Sequence, residues 1–157
     1  MTSLNQMSYV EFGKLRFLDF FPKTDLYGDD DVGGAECGIG IACSEGYGLT
    51  YFARPQKSRQ TAEICLDFDN ECPETEGHAL LDHFGLKLRR GMSGAKIKEL
   101  LGAPEEDDPR WLRFIVGSKW LYYVGCLVDG DRGLSRVWIC RKDLADEEEK
   151  IQSDESE

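Results

Sequence analysis

Histidine is nearly missing from this chain of 157 residues, with 2, and proline is sparse, with 5. His78 and His83 are therefore all that a serine- or cysteine-based hydrolase site would have to draw on. They stand in GHALLDHFG at i and i+5, a poor match to one helix face, so surface or capping positions are expected for both. No G-x-S-x-G, H-E-x-x-H or Walker loop occurs. GGAECGIGIA holds a G-x-G, but the third glycine is missing and the run leads into a strand, which argues against nucleotide binding. None of the six cysteines (Cys37, Cys43, Cys65, Cys72, Cys126, Cys140) belongs to a C-x2-C pair. Cys43, Cys65, Cys126 and Cys140 lie in apolar runs and read as small buried hydrophobes. Cys72, His78 and His83 are too loosely spaced for a metal site, and DFDNE at 67–71 lacks the periodicity of a calcium loop. The expectation is no enzyme activity, no cofactor and no metal.

Long apolar runs are lacking too. No stretch approaches the roughly 18 residues that span a bilayer. The opening MTSLNQMSYVEFGKLRF has no basic region followed by an apolar one. A cytoplasmic location without membrane contact is expected. What is present is a globular composition, 41% apolar with 8 Phe, 6 Tyr and 3 Trp. The length suits one compact domain, or two small units sharing a core.

Charge is lopsided: the net charge is −11. The stretch from Asp143 to Glu157 holds eight acids and one lysine, leaving 22 acids and 18 bases in residues 1–142. Within that body the acids cluster at Asp25, Asp29, Asp30, Asp31 and Glu36, at Asp67, Asp69, Glu71, Glu74 and Glu76, and at Glu105, Glu106, Asp107 and Asp108. Such loops repel phosphate backbones, so nucleic acid is not an expected partner. They serve solubility, or they steer a basic partner. Lys87, Arg89, Arg90, Lys96 and Lys98 form the one basic cluster, to pair with the acidic loops or to meet an acidic partner.

Along the chain, KLRFLDFF at 14–21 suits a buried strand or the end of a short helix, and Pro22 stops it. ECGIGIACS at 36–44 and GLTYFAR at 48–54 form a predicted hairpin. QTAEICLDF at 60–68 alternates as a strand, with Ala62, Ile64, Leu66 and Phe68 on one face and Thr61, Glu63, Cys65 and Asp67 on the other. Leu80, Leu81 and Phe84 mark a helix that Gly85 closes. GMSGAKIKELLGAP at 91–104 is the clearest helix. Ser93 is the N-cap, Met92 and Ile97 form a staple, and Gly102 is a left-handed C-cap before Pro104. Strands follow at Trp111–Val116, Lys119–Val128 and Leu134–Arg141, the last two joined through Asp129-Gly130. On Lys119–Val128 both faces look apolar. The strand is either central and covered on both sides, or it has one face awaiting a partner. The acidic stretch after Asp143 reads as a frayed helix end or disorder.

LKLRRGMSGAKIKELLGAP and the aromatic strands after it resemble the BamE/SmpA-OmlA-like family over about residues 86–141. Gly91, Met92, Ser93, Leu100, Leu101, Gly102, Pro104 and Trp111 stand where that family opens and closes its helix and starts its next strand. GLTYFAR–TAEICLDF hints at a diverged second copy of KWLYYVG–LSRVWICR. A tandem of such units is similar to β-lactamase inhibitory proteins and to small bacterial immunity proteins. The lipid-anchor cysteine of the lipoprotein members has no counterpart in this sequence, which weakens an outer-membrane role. The resemblance implies a sheet surface that grips another protein.

The expected architecture is α+β: antiparallel sheet or sheets of about six to seven strands in total, with two or three helices on one side, arranged as one sheet or two BamE-like repeats. The expected units are 1–76 (β-rich), 77–142 (two helices and three strands) and a disordered acidic tail at 143–157. The expected function is an immunity-type inhibitor that occludes a toxin-like partner protein, with a basic toxin domain as the partner. Asp29, Asp30, Asp31, Asp67, Asp69, Glu71, Glu105, Glu106, Asp107 and Asp108 would steer. Trp111, Trp120 and Tyr122 would hold. An assembly or scaffold module is the alternative, followed by a small hydrolase or metal binder.

Overall fold

The computed structural model describes residues 3–15, 39–43, 61–69 and 74–155. A short 3-10 turn at Leu4–Gln6 and helix α1 (Tyr9–Gly13) lead into strands β1 (Ile39–Cys43) and β2 (Thr61–Asp67). Helices α2 (Glu74–His83) and α3 (Gly94–Leu101) follow, then β3 (Glu106–Asp107), β4 (Trp111–Val116), β5 (Tyr122–Asp129), β6 (Gly133–Arg141) and α4 (Lys142–Glu155). The strands form one antiparallel sheet in the order β1-β2-β6-β5-β4-β3. Five strands have five residues or more, and β3 adds two residues at one edge.

The fold is therefore α+β. A single sheet runs through both expected units, with β2 of the first paired along its length to β6 of the second. The division at residue 76 does not separate two sheets, and no repeat is visible among the described residues. The predicted partner of 36–44 in a hairpin, 48–54, lies outside the described residues, as do most of KLRFLDFF and the acids at 25–36. β1 pairs with β2, with Ile39 opposite Leu66 and Ile41 opposite Ile64.

Period-two alternation gives the sheet an inner and an outer face. Ile64, Leu66, Leu112, Phe114, Tyr122, Val124, Cys126, Val137 and Ile139 point inward, fully or nearly buried. Leu4, Met7, Phe12, Leu80, Leu81, Phe84 and Ile97 complete that core from the helical side. α1 starts with a capping box, Ser8 taking the Glu11 N–H while the Glu11 carboxylate reaches back to the Ser8 N–H. α3 has the expected cap, Ser93 Oγ accepting from the Lys96 N–H at 3.2 Å. Gly102 ends it at φ +90° and ψ −155°, a positive-φ conformation that suits glycine but is not the left-handed helical cap expected.

The expected disordered tail is replaced through residue 155 by α4, which lies against the outer face. The reason is local. Arg113 and Tyr123 on that face supply a cation and a hydroxyl to carboxylates of an otherwise polar helix.

Candidate functional site

The outer face is where side chains depart from core chemistry. Register puts its residues in three rows across the strands. Ala42, Glu63, Cys140, Tyr123 and Ile115 form one row. Gly40, Cys65, Trp138, Gly125, Arg113 and Glu106 form the next. Asp67, Arg136, Leu127 and Trp111 form the third. A sheet face open to water would be polar, and one closed by a helix layer would be aliphatic. The middle of this one carries aromatic rings and guanidinium groups.

The centre of the face is Gly125. A Cβ there would come 2.3 Å from Cη2 and 2.8 Å from Cζ2 of Trp111, so glycine is what lets that indole lie on the strand. Trp138, the cross-strand neighbour of Gly125, meets Trp111 edge-on with centroids 5.3 Å apart. The Trp111 Nε1–H donates to Glu106 at 2.6 Å. Arg113 lies over the Tyr123 ring at 4.0 Å, and Arg136 is 5.3 Å from the Trp138 ring. Arg113 gathers three carboxylates, Glu105 at 2.7 Å, Glu106 at 3.0 Å and Glu149 of α4 at 2.9 Å. Burial works against its charge, but Glu149 and Glu105 outweigh it and raise its pKa. Burial, seconded by the bond to Asp146, pushes the Tyr123 phenol up to about 12.

Glu63 stands at the far side of the face. It is buried, and its Oε2 has no hydrogen-bond partner among the described residues. Desolvation raises its pKa to about 7. The Arg136 Nε is likewise buried and unpaired among the described residues, while its Nη2 pairs with Asp67.

The residues expected to steer are largely engaged. Asp67 holds Arg136 and is itself buried; Asp69 holds Arg90 and Arg132; Glu105 and Glu106 hold Arg113; Asp107 holds Lys98 at 2.8 Å. Asp108 is exposed and closes a backbone turn with Trp111. Asp29, Asp30, Asp31 and Glu71 lie outside the described residues. Of the three holding residues, Trp111 is half-buried on the outer face. Trp120 is half-buried against the inner core, with the Lys119 ammonium 4.8 Å from its ring. Tyr122 is a correction. It is fully buried, its hydroxyl donating to the Met7 carbonyl at 2.8 Å, because even-numbered positions of β5 face inward. β5 is central in the sheet.

Sequence reasoning passed over Trp138, Arg113, Arg136 and Glu63. Period-two alternation in LSRVWICR and WLRFIV places Arg136 with Trp138 and Trp111 with Arg113, and that signal could have found them.

His78 and His83 form no pair. His78 Nε2 accepts from the Arg90 N–H at 3.0 Å and its ring packs on Phe68; burial, aided by Arg89, lowers its pKa. His83 Nε2 is buried without a hydrogen-bond partner among the described residues. Burial pushes the Cys126 thiol up to about 12, an unreactive state. Among the described residues no group of three or more His, Cys, Asp or Glu is arranged to hold a metal ion, and no helix is long and apolar enough to cross a membrane.

Comparison of the chain with family models, with curated proteins and with solved structures gives no match.

Proposed function

We propose that this protein binds another protein through the outer face of β4, β5 and β6 and acts by occlusion, as an immunity-type inhibitor of a toxin-like partner. The observation that carries the reading is the cluster of Trp111, Trp138 and Tyr123 with Arg113 and Arg136 on one sheet face. Tryptophan, tyrosine and arginine are the residues that supply most of the energy in protein interfaces. Ile115, in the same face near the β4 edge, is 44% exposed, which adds an apolar contact at the rim. The net charge of −11 favours a basic partner and a fast, salt-sensitive encounter. The likeness of residues 86–141 to BamE/SmpA-OmlA-like domains points the same way, since a gripping sheet surface is what it implies.

The test is co-expression with the products of neighbouring genes, followed by co-purification and a growth assay. A neighbour whose toxicity is relieved by this chain, with binding at least about tenfold weaker for Trp138→Ala, supports the reading. A neighbour bound equally well by wild type and by Trp111→Ala, Trp138→Ala and Arg136→Ala refutes the assigned face, and no bound neighbour refutes the function.

A further inference from the structure

We propose that α4 is a detachable strap over the gripping face, released when cations of a basic partner take over the carboxylates of Asp146 and Glu149. This deepens the proposed function and rests on it for the identity of the surface, but the strap itself is testable without any partner.

Polar side chains hold α4 down. Asp146 accepts from the Tyr123 hydroxyl, and Glu149 accepts from Arg113 Nη1 at 2.9 Å. Leu144 and Ala145 of α4 are only half-buried, and neither belongs to the buried hydrophobic core. A helix held by burial would stay down at any ionic strength. One held through carboxylates that are themselves half-exposed, Glu149 at 56% and Asp146 at 42%, is weakened by salt and by competing cations.

Release also leaves no charge stranded. Arg113 keeps Glu105 and Glu106 when Glu149 departs. Asp146 keeps Lys142, which belongs to the same helix and lies at 2.6 Å. The Tyr123 hydroxyl regains water. Breaking a buried ion pair is costly chiefly because a partner is left unpaired, and that cost is absent here.

What the strap covers suits a binding surface. Tyr123 is 4% exposed and the Arg113 side chain 15%, although both belong to the same face as the two indoles. Lifting α4 uncovers a guanidinium stacked on a phenol ring, continuous across the rows with Trp111 and Trp138. The cations that an acidic protein attracts would thus unmask the aromatic surface that retains their owner.

Amide hydrogen exchange on the full chain, read by mass spectrometry, tests this. In wild type at about 0.05 M NaCl, residues 147–155 should be protected. Exchange there should rise at least about tenfold in Asp146→Asn/Glu149→Gln, in about 1 M NaCl, and on adding decalysine at low salt, while β5 and β6 change less than about twofold. Unchanged protection of 147–155 under all three perturbations overturns the proposal. So does co-exchange of β5 and β6, which would make α4 integral to the sheet, and so does slower exchange of α4 with decalysine, which would mean cations bind without release. Loss of partner capture on Trp138→Ala bears on the gripping face alone, so failure of the strap and failure of the function are distinguishable.

Discussion

Glu63 should make the protein less stable as pH rises through neutrality, and replacing it with glutamine should remove that loss. The carboxyl is buried on the outer face with no hydrogen-bond partner to its Oε2 among the described residues, and burial raises its pKa from 4.5 to about 7. Between those two values the folded chain keeps a proton that the unfolded chain has released. Stability therefore falls with rising pH, beginning near pH 4.5 and ending once Glu63 has ionised, near pH 8. A difference of about 2.5 pH units at about 1.4 kcal/mol each gives a loss of about 3 kcal/mol. Glu63→Gln keeps the shape and has no proton to lose. Below pH 5 it should unfold within about 1 kcal/mol of wild type, and by pH 8 it should be more stable by about 2–3 kcal/mol. Urea titrations followed by tryptophan emission at pH 5, 6, 7 and 8 measure this, as a midpoint separation that grows to about 1–2 M. Every other carboxylate titrates in both proteins, so the difference between them isolates Glu63. A separation that does not change with pH, or that favours wild type at pH 8, refutes the desolvation argument.

Gly125→Ala puts a methyl group into the Trp111 ring and should cost about 1–3 kcal/mol; combined with Trp111→Ala the cost should shrink, a coupling that a double-mutant cycle by urea unfolding would detect. Tyr122→Phe strands the Met7 carbonyl and should lower stability by about 1–2 kcal/mol at constant m-value, while Tyr122→Ala should cost about 3–5 kcal/mol in the same assay. Ser93→Ala removes the α3 cap and should cost about 1 kcal/mol, seen as a lower thermal midpoint in circular dichroism.

The parts of this fold legible in sequence are those whose signal is local. Trp111–Val116 is a strand with the expected bounds, and QTAEICLDF contains β2. α3 was readable because cap, staple and stop lie within a dozen residues. The pairing of β2 with β6 was not readable, since it joins residues some seventy positions apart and alternation does not name a partner. The length of α4, where the sequence offers a frayed helix end or disorder, is not legible for a related reason. DLADEEEKIQSDESE carries little apolar pattern, so nothing in it announces Tyr123 and Arg113 as its anchors. The outer face was half legible: Lys119–Val128 has apolar residues on both faces, and only Gly125 under Trp111 shows why the odd-numbered face carries rings rather than a second core.

The acids show where loop-by-loop charge reasoning goes astray. Asp67, Asp69, Glu105, Glu106 and Asp107 read as solubilising or steering charges, yet each sits against an arginine or lysine of this chain, Asp69 and Asp107 through the basic cluster expected to pair with acidic loops. The exposed pairs among them, those of Asp69 and Asp107, add about 0–1 kcal/mol apiece to stability, so their effect is mainly to fix side chains and flatten the local field. Pairing does not alter the total, which stays at −11. The excess must then sit where acids outnumber bases, and among the described elements that is foremost α4, with seven acids and two lysines between Lys142 and Glu155. On the proposed function, a basic partner approaching from a distance would be drawn toward that helix before it met an indole. On that reading, attraction and grip would fall on neighbouring parts of one face, the first on the helix and the second on the rings beside and beneath it.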